Sequence, residues 1–142
     1  MRLTTFTDNA LRLLIDLARR GGGQSTIADI ARRYDMSANH LAKVVVRLTD
    51  CGVLRTVRGR HGGVVLARPP EQIRIGAVVR ASEPDFCMVD CFDDAHASCC
   101  YRGCCGVQHA LGRATDAYLA ALDAVTLADL LPPPSSSFGL AG

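Results

Sequence analysis

Residues 37–67, "SANHLAKVVVRLTDCGVLRTVRGRHGGVVLA", contain two kinds of pattern, a helical one followed by a β-hairpin one. From Ser37 to Cys51, apolar residues recur at three- and four-residue steps, which is typical of an amphipathic helix. After Gly52, two β-prone runs, "VLRTV" and "GVVLA", flank the glycine-rich stretch "RGRHGG" and indicate a β-hairpin. Ser37 is the predicted N-cap of the helix. Its predicted buried face consists of Leu41, Val44, Val45 and Leu48.

Two more amphipathic helices precede this stretch. The first runs from about Thr7 to Arg20 and stops at a triple glycine, and the second lies in "TIADIARRYDM" with Thr26 as its predicted N-cap. The order helix, helix, helix, basic hairpin is that of a winged helix-turn-helix, whose second paired helix enters the DNA major groove. We therefore expect a mainly α fold with a small β-hairpin wing, in which Ser37 to Cys51 is the recognition helix.

The charges are distributed unevenly, although the net charge is only +2. Cationic residues dominate between His40 and Arg68, where Asp50 is the single acid, and this suits a polyanionic partner. Between residues 81 and 101 there are five carboxylates and no Lys or Arg. The alternative is an ordinary solvated helix face and a charged turn. The predicted contacts with double-stranded operator DNA are Ser37, Asn39, His40, Lys43, Arg47, Arg58, Arg60 and His61.

A long C-terminal helix is predicted for "GVQHALGRATDAYLAALDAV", residues 106–125. Its apolar residues alternate between four- and three-residue steps, the spacing of a helix-helix seam, so we expect it to form a homodimer. The following "TLADLL" predicts a short helical turn capped by Thr126, and "PPPSSSFGLAG" is typical of a flexible tail. The predicted dimerisation residues are Val107, Leu111, Ala114, Tyr118, Ala121 and Val125.

The predicted organisation has four parts. Residues 1–81 form the winged helix-turn-helix DNA-binding region, 82–105 the cysteine segment, 106–131 the dimerisation helix and 132–142 the flexible tail. The N-terminus has no uninterrupted apolar stretch typical of a signal peptide or membrane span. We therefore expect a cytoplasmic protein without a membrane partner.

Six of the seven cysteines lie between residues 87 and 105. Because cytoplasmic thiols are kept reduced, this favours metal or redox chemistry over a disulfide framework. The spacing leaves three alternatives open: a structural zinc site, an iron-sulfur site or redox thiols. Pairs with three intervening residues are compatible with zinc, whereas the wider spread of Cys91, Cys99 and Cys105 is compatible with a cluster.

Several stretches resemble the winged-helix iron-sulfur repressors, the family that includes NsrR and IscR, and they are most similar to its NsrR-type members. The resemblance runs from Met1 to about Leu131 and is carried by "MRLTTFTDNALRLL", "RGRHGG", "IRIGAVVRASEP", "VDC", "RGCC" and "AALDAVTLADLL". It implies a four-iron four-sulfur cluster, with a two-iron two-sulfur cluster as the alternative. The ligands that it implies are Cys91, Cys99, Cys105 and, from the partner subunit, Asp8.

The fourth ligand has alternatives. IscR-type members supply a histidine three residues after the last cysteine, where this chain has Gln108, with His109 one residue further on. Asp8 could instead be a helix N-cap. The gap between Cys91 and Cys99 is longer than the family usually shows. An all-cysteine cluster could use one of the additional thiols, which are Cys87, Cys100 and Cys104.

The resemblance implies a homodimeric repressor that releases operator DNA when nitric oxide nitrosylates its iron-sulfur cluster. The alternative is a regulator of the same fold that senses iron or iron-sulfur status. An electron carrier or redox enzyme is disfavoured, because the sequence has no nucleotide-binding glycine motif and no paired acid and base. We therefore do not expect an enzyme.

Overall fold

The computed structural model describes residues 2–59, 62–89, 92 and 105–132. In chain order, the helices and strands are α1 (Thr5–Arg19), α2 (Ile27–Arg33), α3 (Ala38–Asp50), β1 (Leu54–Val57), β2 (Gly63–Leu66), α4 (Ile75–Ser82) and α5 (Gly106–Asp123). Two short 3-10 helices, at Pro70–Gln72 and Ala128–Leu130, accompany them. The predicted mainly α fold with a β-hairpin is confirmed.

The first three helices begin at hydroxyl side chains. Thr4, Thr26 and Ser37 cap α1, α2 and α3, and each hydroxyl accepts a hydrogen bond from the backbone N–H three residues later, at 3.3, 3.1 and 3.4 Å. The predicted caps Thr26 and Ser37 are thus confirmed. Helix α1 starts two residues earlier than predicted, because the capping hydroxyl is that of Thr4.

The core lies between α1, α3 and α4, with α2 and the hairpin closing its sides. The predicted buried face of α3 is confirmed, since all four of its apolar residues are buried. Removing these side chains from water is the main favourable contribution to folding. The largest fully buried side chains include Leu13, Leu14, Leu17, Ile30, Leu41, Leu48, Ile73 and Leu127.

A buried carboxylate joins α1 to α2. Both oxygens of Asp16 lie 2.6 Å from Nη1 of Arg33, and Asp16 also accepts hydrogen bonds from Arg20 at 3.1 Å and from the Tyr34 hydroxyl at 3.2 Å. Burial, reinforced by the charge of Asp16, raises the pKa of Tyr34. These contacts fix α2 against α1 and thereby orient α3.

The hairpin is attached to the helices by a third backbone segment. Strands β1 and β2 are antiparallel, and Val64 also exchanges two backbone hydrogen bonds with Ser25, at 2.9 and 3.1 Å. At the turn, a Cβ on Gly62 would lie 2.5 Å from the carbonyl oxygen of Val57, so a side chain cannot be accommodated there. The predicted glycine-rich turn therefore has a steric basis in Gly62.

Helix α5 packs with one side against α4. Arg80 on α4 forms a two-point ion pair with Asp123 at the end of α5, at 2.5 and 2.6 Å. A Cβ on Gly76 would overlap the Asp123 side chain, so this close approach of the two helices requires glycine. No helix in the described ranges is both long enough and apolar enough to cross a membrane.

After α5 the chain returns to the residues at the start of α4. The amide of Ile75 donates to the carbonyl of Val125 at 2.9 Å, and the amide of Leu127 donates to that of Ile73 at 2.8 Å. Leu127 is fully buried. The helix thus ends at Asp123, within the predicted 106–131 region, and the residues after it join the core.

Candidate DNA interface and cysteine segment

The face of α3 opposite its buried stripe is exposed along its whole length. Asn39 and Lys43 lie on this face, His40 lies at its edge, and all three side chains are exposed. Ser37 precedes the first turn, where its hydroxyl also serves as the N-cap. The helix therefore presents the predicted contact residues of its first two turns to solvent.

Two of the cationic residues in this region are bound within the chain. Nε of Arg47 donates to the carbonyl of Ala81 at 2.7 Å, which links α3 to the end of α4. Arg68 donates to the carbonyls of Gly52 and Cys51, at 2.9 and 3.3 Å, and so joins the end of the hairpin to the end of α3. Arg47 was predicted as a DNA contact, and within the described chain only its Nε is engaged, by the carbonyl of Ala81.

Three further cationic residues of this part of the chain, Lys43, Arg55 and Arg58, are exposed. Within the described ranges, no hydrogen bond or ion pair occupies Lys43, Arg55 or Arg58. Arg58 directly follows β1, at the start of the turn. The predicted contacts Arg60 and His61 lie outside the described residues.

An exposed apolar residue on α3 was missed by the sequence reasoning. Val46 has 60% of its surface exposed and lies on the same face as Asn39 and Lys43. It follows Val44 and Val45, which are both buried. The three consecutive valines look alike in the sequence, although a step of 100° per residue turns Val46 away from the core. This step was the sequence feature that could have identified Val46 as exposed.

The cysteine segment is described at its two ends. Cys87 is exposed, and Cys105 is half-buried directly before the first residue of α5. The predicted ligands Cys91 and Cys99, like the additional thiols Cys100 and Cys104, lie outside the described residues. Within the part of the chain that is described, no three metal-binding side chains converge.

Asp8 lies in the first turn of α1 and does not cap it, since Thr4 does. Its carboxylate lies 2.9 Å from Arg12, and both side chains are about half exposed. An exposed ion pair of this kind contributes little stability and is easily exchanged. The alternative role of Asp8 as an N-cap is therefore wrong, and its carboxylate remains accessible to a ligand.

The first residues of the cysteine segment are anchored at both sides. Glu83 accepts two hydrogen bonds from Thr4, and the hydroxyl of Thr115 on α5 donates to Sδ of Met88 at 3.2 Å. A cavity of about 370 Å³ lies between the N-terminal arm, this segment and α5. The entry to the cysteine segment thus contacts both the first helix and the last.

One face of α5 has no partner in the described chain. None of its residues is buried, and 63% of Val107 is exposed. The predicted seam residues Ala114 and Ala121 are exposed, whereas Leu111 and Tyr118 are half-buried. Val125, also predicted for the seam, lies beyond the end of α5 and packs against the core. His109 is exposed, and Gln108 is half-buried.

The chain is similar to known transcriptional regulators. The HTH-type transcriptional regulator NsrR of Bacillus subtilis (strain 168) is 49% identical over 132 residues, covering 92% of this chain and 90% of that protein. Among solved structures, T. potens IscR has a TM-score of 0.72 at 25% identity, and the match covers 91% of this chain and 85% of the IscR chain. CymR (YrzC), the global cysteine regulator of B. subtilis, has a TM-score of 0.74 at 27% identity, and the match covers 92% of this chain and 95% of CymR.

The model of the Rrf2 family, described as an iron-dependent transcriptional regulator, matches residues 3–133. This match includes the exposed face of α3, the hairpin, the cysteine segment and α5. A family of transcriptional regulators also agrees with the prediction from the sequence that the protein is not an enzyme. The chain therefore belongs to the Rrf2 family of iron-dependent transcriptional regulators.

Proposed function

We propose that the protein is a homodimeric transcriptional repressor of the cytoplasm that binds operator DNA while it holds an iron-sulfur cluster and releases the DNA on reaction with nitric oxide. The observation that carries the proposal is the position of the cysteine segment. It connects α4, which packs against α3, to α5, whose outer face is unpartnered in the described chain. A change in this segment is therefore able to alter the orientation of the DNA-binding regions.

The residues available for the cluster are chemically suited to it. Cys91, Cys99 and Cys105 would supply thiolates, the usual ligands of such clusters, and Asp8 of the partner subunit would supply a carboxylate. Cys105 directly precedes α5, where the positive end of the helix dipole favours negative charge. When bound, a cluster supplies iron atoms that react with nitric oxide. We favour four iron atoms over two, because the chain resembles NsrR-type repressors.

Contacts within the chain offer a route from the segment to the recognition helix. Glu83 is bound to Thr4 at the start of α1, four residues before Asp8. Two residues before Glu83, the carbonyl of Ala81 accepts the hydrogen bond from Arg47 on α3. Movement of the segment would therefore be transmitted to α1 and α3 together.

The DNA contacts follow from the exposed face of α3 and from the hairpin. Lys43 and Arg58 would neutralise phosphates, and Asn39 would approach base edges, since amide side chains pair with adenine in the major groove. Dimerisation through α5 would present two such surfaces. A palindromic operator with half-sites one helical turn, or a multiple of it, apart is expected.

A second candidate is a regulator that responds to iron or cluster supply. The description of the family as iron-dependent favours it. In that case the DNA contacts are the same, and the signal is the loss of cluster without nitric oxide.

Anaerobic purification, followed by iron and sulfide analysis and gel-shift assays, tests the proposal. The Ala variants of Cys91, Cys99 and Cys105 should lack the cluster absorbance and bind operator DNA weakly, whereas Cys100→Ala and Cys104→Ala are the matched controls and should retain both. Asp8→Ala should assemble a less stable cluster with altered nitric oxide kinetics. Retained cluster in Cys91→Ala would contradict the ligand assignment.

A further inference from the structure

We infer that Val46 selects a thymine in the operator through contact with its C5-methyl group; this inference rests on the proposed binding of DNA through α3. Val46 is the most exposed large apolar side chain of the DNA-binding region, at 60%. It lies on the same face of α3 as Asn39 and Lys43, in the third turn of the helix. No neighbouring residue buries it within the described chain.

Exposure alone would not assign a role to Val46, because single apolar residues are common on protein surfaces. Its surroundings are more specific. It lies in a shallow depression of about 330 Å³, whose other lining residues are Ala42, Lys43, Arg47 and Asp50. The depression is thus lined by two apolar side chains, two cationic side chains and one carboxylate. The apolar and cationic side chains together suit a base edge that lies next to phosphates.

The chemistry of the major groove identifies the occupant. Among the four bases, thymine presents a methyl group on the major-groove edge, and apolar side chains recognise it by contact. The two methyl groups of Val46 project from a helix, where its β-branched side chain has a restricted rotamer. Little side-chain entropy is therefore lost when the methyl groups pack against a base.

The charges beside Val46 limit where α3 meets the DNA. Lys43 and Arg47, one helical turn apart on the same side of Val46, would attract backbone phosphates, whereas Asp50, one turn beyond Val46, would be repelled by them. The contact of α3 with the major groove would therefore end in the helical turn that carries Val46. We expect the operator to have a thymine at the edge of each half-site.

The test uses the anaerobically purified protein and a duplex that the wild-type chain selects from a random library. Each thymine of a half-site is replaced singly by deoxyuridine, which removes only the methyl group. Replacement at one thymine should weaken wild-type binding about 4- to 15-fold, the scale of one or two buried methyl groups. Val46→Ala should bind the original duplex more weakly by a similar factor and should no longer distinguish thymine from uracil at that position.

Val46→Ala should fold normally, because the side chain is exposed and alanine favours helix formation. Leu130→Ala, which alters an apolar residue 40% exposed outside the DNA-binding face, is the control and should discriminate as the wild type does. If Val46→Ala retains full discrimination, or if every thymine is replaceable without loss, the role of Val46 is overturned while DNA binding stands. If the wild type selects no sequence, both proposals fail.

Discussion

One oxygen of Glu83 accepts two hydrogen bonds from Thr4, from the backbone N–H at 2.9 Å and from the hydroxyl at 3.1 Å. Thr4 is also the N-cap of α1, so the same residue begins this helix and binds the chain that leaves α4. The two residues are 79 positions apart in the sequence. This contact makes the start of α1 and the entry to the cysteine segment a single structural unit.

Glu83→Ala should reduce the free energy of unfolding by about 1–3 kcal/mol, because the partly buried N–H of Thr4 loses its acceptor. Glu83→Gln retains an acceptor oxygen and should lose less stability. Urea unfolding measures the free energy of unfolding of both variants. Glu71→Ala, at an exposed position of the first 3-10 helix, is the control and should change the free energy of unfolding by no more than about 0.5 kcal/mol. Equal midpoints for Glu83→Ala and Glu71→Ala would argue against the contact.

Arg58→Ala should weaken operator binding and reduce its dependence on salt. Each phosphate neutralised contributes about 0.9 to the slope of log affinity against log salt concentration, so loss of one contact should lower the slope by about that amount. Fluorescence anisotropy over a series of salt concentrations measures the slope. Arg113→Ala removes another exposed arginine, from α5, and should leave the slope unchanged. The same slope in both variants would remove Arg58 from the interface.

The ion pair between α4 and α5 should make stability depend on pH. Hydrogen bonding from Arg80 holds the pKa of Asp123 below its ordinary value of 3.8. The unfolded chain therefore takes up a proton first on acidification, and the stabilisation by this carboxylate, complete above the unfolded pKa, is lost as the pH falls through the lower folded value. The difference in unfolding midpoint between wild type and Asp123→Asn should shrink as the pH falls from 7 to 3.

Asp129, whose pKa is lowered by hydrogen bonds from Thr126, is present in both proteins, so its contribution cancels from the difference. A difference that stays constant over this pH range would contradict the assignment to Asp123.

Ala114→Asp should convert the dimer to monomers, because a charge would be placed in the proposed seam of α5 without a partner. Ala120→Asp is a matched control, since it introduces the same residue at an exposed position on a different side of the same helix. Sedimentation velocity distinguishes the two states. A dimer in Ala114→Asp would require another interface.

Local patterns predicted the fold well, since caps and apolar spacing depend on residues close in sequence. Leu41 and Leu48 are buried as the helical period requires, and Thr26 and Ser37 cap as expected. The binding of Arg47 to Ala81 was not predictable, because its acceptor lies 34 residues away. For the same reason, the contact of Thr4 with Glu83 was not predictable, because the two residues are 79 positions apart.

Release of operator DNA on loss of the cluster is tested by following cluster absorbance and operator binding in one anaerobic sample during titration with nitric oxide. The absorbance and the fluorescence anisotropy of labelled operator should fall together, over the same range of nitric oxide per cluster. Complete loss of the cluster signal with operator binding unchanged would contradict this expectation.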